Sequence, residues 1–105
     1  MSALLGLLGL GLRAGHVVIG VDAVRSALQG GRCACVVVAA DAGPRAQEKV
    51  VRLARAKGIP LVAGPDAESL GARLGRPPVM VVGIRDRALA EGVQGAAPAG
   101  TSMED

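Results

Sequence analysis

Apolar residues run along this chain in short stretches divided by glycine and polar gaps, and the spacing within the stretches changes with position. Over residues 3–12, Leu4, Leu5, Leu8 and Leu12 recur at helical intervals and make one apolar stripe, which Gly15 ends. His16, Val17, Val18 and Ile19 follow, and three β-branched residues in four suit a short buried strand. Gly20 breaks that run. Val21, Val24 and Leu28 then fall at helical spacing, predicting a helix over about 22–29 with Asp22 as its cap and Gly30-Gly31 as its end. Residues 33–40 are apolar without alternation, as in a central strand covered on both faces.

The second half repeats the alternation. Asp41 opens a loop whose backbone it is expected to bond, and Pro44 suits the first position of a helix that runs to Lys57 and stops at Gly58. Ala46, Val50, Leu53 and Ala54 mark its inner face, and Arg45, Lys49 and Arg52 share another. Residues 59–63 read as a third strand, with Pro60 at its start where a missing donor matters least. A brief helix over 67–74, a stiff loop over 75–78, a fourth strand over 79–84 and a last helix over 87–93 complete the chain. Strands alternating with helices predict an α/β fold: a three-layer α/β/α sandwich around a four-stranded, mixed sheet. Residues 1–94 form one domain, and 95–105, rich in small residues, read as a flexible tail.

Composition narrows the possible functions. There is no Phe, Trp or Tyr, so the core is built from Leu, Val, Ile and Ala, and no aromatic platform can stack a base. The net charge is +3; without Glu104 and Asp105, twelve basic residues face seven acidic ones, and ten of the twelve are Arg. That excess weakly favours an anionic partner. Cys33 and Cys35, two apart on a strand, are expected on one face as buried thiols rather than as a disulfide or half of a metal set. The 3–12 run is too short to cross a bilayer and has no basic residue before it, so neither a signal peptide nor a membrane partner is expected.

Catalytic chemistry finds little support. Gly9 to Ala14 matches G-x-G-x-x-[G/A], but helix precedes it and a strand follows, the reverse of a dinucleotide turn. His16, the only histidine, has no nucleophile or base arranged with it in sequence, and the nine carboxylates show no acid/base pair. No enzyme activity, cofactor, metal or small-molecule substrate is predicted. The strand-to-helix turn at Gly20–Asp22 is the remaining candidate. An exposed helix start offers unpaired N–H groups and partial positive charge to an anion. Every such turn in an α/β fold shares that property, so an ordinary connection stays the alternative.

Several stretches together resemble the kink-turn RNA-binding ribosomal-protein family, the "L-seven-Ae" superfamily, and most of all its short bacterial YlxQ-type members. They are L-G-L-x-x-R-A-G-H (Leu8 to His16, loosely), Gly20 with Val24, V-V-V-A-A-D-A (36–42), K-G-I-P-L-V (57–62) and S-L-G-x-x-L-G-R-P-P (69–78). The resemblance implies a non-catalytic, cytoplasmic RNA-binding protein of the ribosome or translation system, with rRNA or another structured RNA as its partner. It implies that the turn after the first strand enters the groove of a bent RNA, and that the loop before the last strand covers a flipped-out base. The implied contacts are Gly20, Val21, Asp22, Arg25, Arg76 and Pro77. Asp22 stands where the family has Asn, Ala23 replaces a Glu and Ser26 replaces a Lys. Those departures leave open a second reading, a protein-interaction module that kept the fold and lost the RNA site.

Overall fold

The computed structural model describes residues 3–96. The order is α1 (Ala3–Ala14), β1 (Val17–Ile19), α2 (Val21–Gln29), β2 (Cys35–Val38), α3 (44–56), β3 (Leu61–Ala63), α4 (Ala67–Arg73), β4 (Val81–Ile84) and α5 (Arg87–Ala96). Within α3 the stretch Gln47–Val51 is π-helical.

The sheet is mixed, in the order β1-β4-β2-β3. β4 runs antiparallel to both neighbours, pairing Val18 with Gly83 and Val36 with Gly83, and β2 pairs parallel with β3 through Val37 and Val62. β1, β2 and β3 therefore all point the same way. Their finishing ends share one edge of the molecule with the start of β4, and their starting ends share the opposite edge with its finish. Both candidate regions of the chain are positioned by that fact.

Two apolar clusters flank the sheet. Leu4, Leu8, Leu70, Leu74, Ala90 and Val93 pack α1, α4 and α5 on one face. Val24, Leu28, Val50, Val51 and Ala54 pack α2 and α3 on the other. β2 is buried along its whole length, as its unbroken apolar run predicts. Pro44 occupies the first turn of α3, and Gly31 and Gly58 take the positive φ that closes α2 and α3. The three-layer sandwich and mixed four-stranded sheet match the expectation from the sequence.

The strands are shorter than their apolar runs. Ala39 still donates to the Met80 carbonyl at 2.8 Å and Ala34 to that of Ile84 at 2.7 Å, but the ladder stops at Cys35 and Val38. Hydrophobicity marks burial, whereas a ladder also needs a partner strand of equal reach. Cys33 and Cys35 do not share a face, because Cys33 lies before the strand begins. Its Sγ donates to the Cys35 carbonyl at 3.2 Å from the α2 side, while Cys35 packs with α1 and α4. Both are buried free thiols. Two other boundaries move. α1 runs through Ala14, and α5 continues through Ala96, past the expected start of the tail at 95. Residues 97–105 lie outside the described residues. Among those described, no helix is long and apolar enough to cross a membrane.

Candidate nucleic-acid interface

Gly20 sits where β1 gives way to α2. Its N–H donates to the Val81 carbonyl at 3.1 Å, which ties the turn to β4, and its own carbonyl accepts from Val24 at 3.0 Å. Its φ of 98° and ψ of 159° belong to a region that essentially only glycine occupies. A Cβ added there would meet nothing within 4 Å among the described residues, so the outer side of the turn is open to them. Gly20, not Asp22, is the N-cap of α2, and among the described residues no side chain caps the helix. Asp22 and Ala23 are exposed and Val21 is half-buried. The first turn of α2 therefore presents backbone donors and the positive end of the helix dipole to solvent.

Asp22 stands one residue inside the helix start and cannot fold back to bond it. Its Oδ1 accepts from Arg45 Nη2 at 2.7 Å, across to the first turn of α3. Both side chains are well exposed, at 83% for Asp22 and 63% for Arg45. Arg45 thus joins the turn as a cation, where its spacing in the sequence predicts only an outer helix face. Pro44 shows where α3 begins, but which neighbour its first turn meets is decided by packing between α2 and α3. Arg25 is half-buried and reaches across to α3: its Nη1 donates to the Lys49 carbonyl, within the π-helical stretch, at 2.8 Å. It fastens α2 to α3 and holds the turn steady.

Arg76 and Pro77 are exposed in the loop that enters β4. The Arg76 N–H donates to the Gly71 carbonyl at 2.8 Å, and the loop lies directly on α4. A Cβ on Gly71 would collide with the Pro77 carbonyl oxygen and come within 2.8 Å of that of Arg76. The six expected residues therefore divide into two groups. Gly20, Val21, Asp22 and Arg25 come together with Arg45 on the α2–α3 layer. Arg76 and Pro77 lie on the α4 layer, and no hydrogen bond among the described residues joins them to the first group.

The two other aspartates at this edge have structural tasks. Asp41 was expected to bond its own loop; instead its Oδ1 accepts from the Ala67 N–H at 2.8 Å and braces the start of α4. Asp66 caps α4 through Ser69, accepting from the backbone N–H at 3.1 Å and the hydroxyl at 2.7 Å, and these bonds hold its carboxyl below its ordinary range. Among the described residues no group of three His, Cys, Asp or Glu is placed to hold a metal. Burial pushes the Cys33 thiol up and the Cys35 thiol up to about 12, which keeps both protonated and unreactive. The Gly9–Ala14 stretch lies inside α1 and makes no phosphate-binding turn.

Comparisons with known proteins agree with this architecture. A Bacillus halodurans protein of unknown function is 29% identical, with a TM-score of 0.78 over 89% of this chain and 98% of that one. A 15.5kD RNA-binding protein of Giardia lamblia is 24% identical, with a TM-score of 0.73 over 90% of this chain and 84% of that one, a likeness of fold. No curated protein matches the chain. The model of the ribosomal protein L7Ae/L30e/S12e/Gadd45 family matches residues 2–92, nearly the whole of the described structure, and the chain belongs to that family.

Proposed function

We propose that this protein is a non-catalytic RNA-binding protein of the ribosome or translation system, cytoplasmic, that takes structured, kink-turn-like RNA on the α2 start. The observation that carries the reading is the uncapped helix start at Gly20, open on its outer side. Family membership and the fold shared with an RNA-binding protein support RNA as the anion. The near-complete overlap with a bacterial chain of similar span supports the short bacterial branch of the family. In this reading the N–H groups of Val21, Asp22 and Ala23 meet phosphate oxygens, Gly20 lets the backbone approach, and Arg45 supplies a side-chain cation. Arg25 positions the helix. Arg76 and Pro77 meet the RNA from the other layer. With no Phe, Trp or Tyr in the protein, recognition rests on the shape and charge of the RNA.

Asp22 sets the affinity. It draws Arg45 toward itself, and its own charge opposes phosphate. The Asp22→Asn variant is therefore expected to bind more tightly than the parent. The test is a titration of labelled kink-turn RNA and an unkinked duplex at several salt concentrations. Binding should favour the kinked RNA and weaken linearly in log salt, by about 0.9 per phosphate neutralised on a duplex. Absence of binding to either RNA at low salt refutes the reading. Exposed Ala23 and Ser26, where the family pattern has Glu and Lys, favour a second reading as a protein-interaction module. Partners captured from lysate that survive nuclease would support it.

A further inference from the structure

The starting edge of the sheet carries a cluster that the proposed RNA site does not use. His16 precedes β1, Arg85 follows β4, and Arg32 precedes β2. The antiparallel pairing of Val17 with Ile84 sets His16 beside Arg85, whose N–H donates to the His16 carbonyl at 2.7 Å. Arg32 arrives from the turn after α2, where its N–H donates to the Ala27 carbonyl at 2.9 Å, and its guanidinium lies across Gly30. With Gly15 and Asp86, these three residues line an open concavity of about 280 Å³. Asp86 is its one carboxylate, and that carboxylate is already engaged, accepting from the Leu89 N–H at 2.8 Å at the start of α5. Among the described residues, neither the Arg32 nor the Arg85 guanidinium has an ion-pair partner.

A solvated helix face spreads its charges along one element. Here three segments distant in sequence bring two arginines and a histidine to one hollow. Guanidinium forks match phosphate oxygens. The lining has no Phe, Trp or Tyr, and its one ring is the His16 imidazole. Its two arginines and that imidazole favour phosphate, a contact that carries no sequence information.

Position favours a polymer. β1 is an edge strand, and α2 runs back beside it from Gly20 to the turn that carries Arg32. Four residues of strand from His16 to Gly20 span about 13 Å, and nine residues of helix span about the same. A duplex carries closely spaced phosphates along both strands, so one laid along this edge passes both places. The exposed residues of α2 between them, Ala23, Ser26 and Gln29, add no charge to oppose it.

We propose that the concavity formed by His16, Arg32 and Arg85 is a second, sequence-independent phosphate contact for RNA, at the end of the sheet opposite the α2 start. The polymer's identity rests on the RNA-binding reading; the phosphate chemistry of the hollow stands on its own residues.

His16 makes the test direct. It is the only histidine in a chain without Phe, Trp or Tyr, so its ring carbons and protons are free of overlap from other aromatic residues in the ¹³C-labelled protein. At fixed pH and low salt, the His16 signal should move as an unkinked RNA duplex is added. In Arg32→Ala/Arg85→Ala it should stay in place. The same double variant should lower the salt slope for kinked and unkinked RNA alike by about 2, one per phosphate contact. Arg32→Lys/Arg85→Lys should keep most of that slope. Arg45→Ala should instead reduce the preference for kinked RNA.

Three results overturn the proposal: a His16 signal that stays still while RNA binds, one that moves equally in the double alanine variant, or one that moves with polyglutamate and not with RNA. Movement with inorganic phosphate at matched phosphorus concentration, but not with RNA, assigns the hollow to a free phosphate and overturns the polymer. Binding that depends on Arg32 and Arg85 but shows no preference for a kink leaves this contact standing and removes the Gly20 reading. Kink-selective binding indifferent to Arg32 and Arg85 does the reverse.

Discussion

The two edges of the sheet solve different problems. At the finishing edge the aspartates gather: Asp22 in the first turn of α2, Asp41 after β2, Asp66 at the cap of α4. Each is spent within the protein, on Arg45, on the Ala67 N–H and on Ser69 respectively. Acidic side chains near helix starts complement the helix dipole, so this edge is acidic because three helices begin there. What it offers an anion is an open glycine turn and backbone donors, with Arg45 and Arg76 as the cations beside them. At the starting edge the helices α1, α2 and α3 end, the caps are glycines, and the side chains lining the hollow beside β1 and β4 include Arg32 and Arg85. What it offers is charge. A ligand that needs both, a folded polyanion with a particular bend, fits a protein divided in this way.

Both edges hang on one core, and the largest expected effect breaks them together. Ile84 is fully buried at the finish of β4, and its carbonyl accepts from Ala34. Ile84→Ala should cost about 2–5 kcal/mol of stability through lost burial and a cavity. Chemical denaturation should show a single shifted transition. Two transitions would mean that the edges unfold separately and that the sheet does not couple them.

Gly71→Ala separates the layers of the finishing edge. Its Cβ would press on the loop that carries Arg76 and Pro77, with the Pro77 carbonyl carbon at 2.7 Å. Overpacking of this kind costs about 1–3 kcal/mol. The folded variant should keep the Gly20 turn and displace the loop, so any loss of RNA affinity measures the share of Arg76 and Pro77. An unchanged affinity assigns the interface to the α2–α3 layer alone.

Alkaline pH probes the core between the edges. Burial raises both thiols, so in the folded protein they ionise later than in the unfolded chain. Their contribution is complete below about pH 9.0 and is lost as the pH climbs toward about 12. Thermal stability should fall progressively in that window, and the fall should shrink in Cys35→Ala relative to its own value at neutral pH. At pH 8 the native thiols should resist alkylation. Rapid labelling there would contradict their burial.

Much of the architecture is written in the order of the residues. Glycines at 31 and 58 close helices, Pro44 opens one, and the unbroken 33–40 run reads as a covered strand, of which 35–38 pair. Those signals are local, and local chemistry decides them. The site is legible only in part, for the same reason. Gly20 announces a turn and Val24 a buried helix face, but Arg45 meets Asp22 from 23 residues away. Asp41 likewise reaches Ala67 across 26 residues. Such partners are chosen by how layers pack, which no spacing within a segment encodes. The same limit hid the basic hollow, since residues 16, 32 and 85 become neighbours only through the register of β1 against β4 and of β4 against β2.

The smallest effect is the most specific. Asp22 and Arg45 are both largely exposed, so a double-mutant cycle on the pair should give a coupling of about 0–1 kcal/mol in stability. In RNA affinity the two variants should move in opposite directions, Asp22→Asn up and Arg45→Ala down. Equal signs would remove Arg45 from the interface and leave the pair as a surface contact.

The most direct measurement is the response of the backbone amides to kink-turn RNA in the ¹⁵N-labelled protein. The amides of Gly20, Val21, Asp22 and Ala23 should show the largest shifts, saturating with the binding curve, and should respond far less to an unkinked duplex. If RNA binds while those four amides stay where they are, the α2 start is an ordinary connection and the anion lands elsewhere.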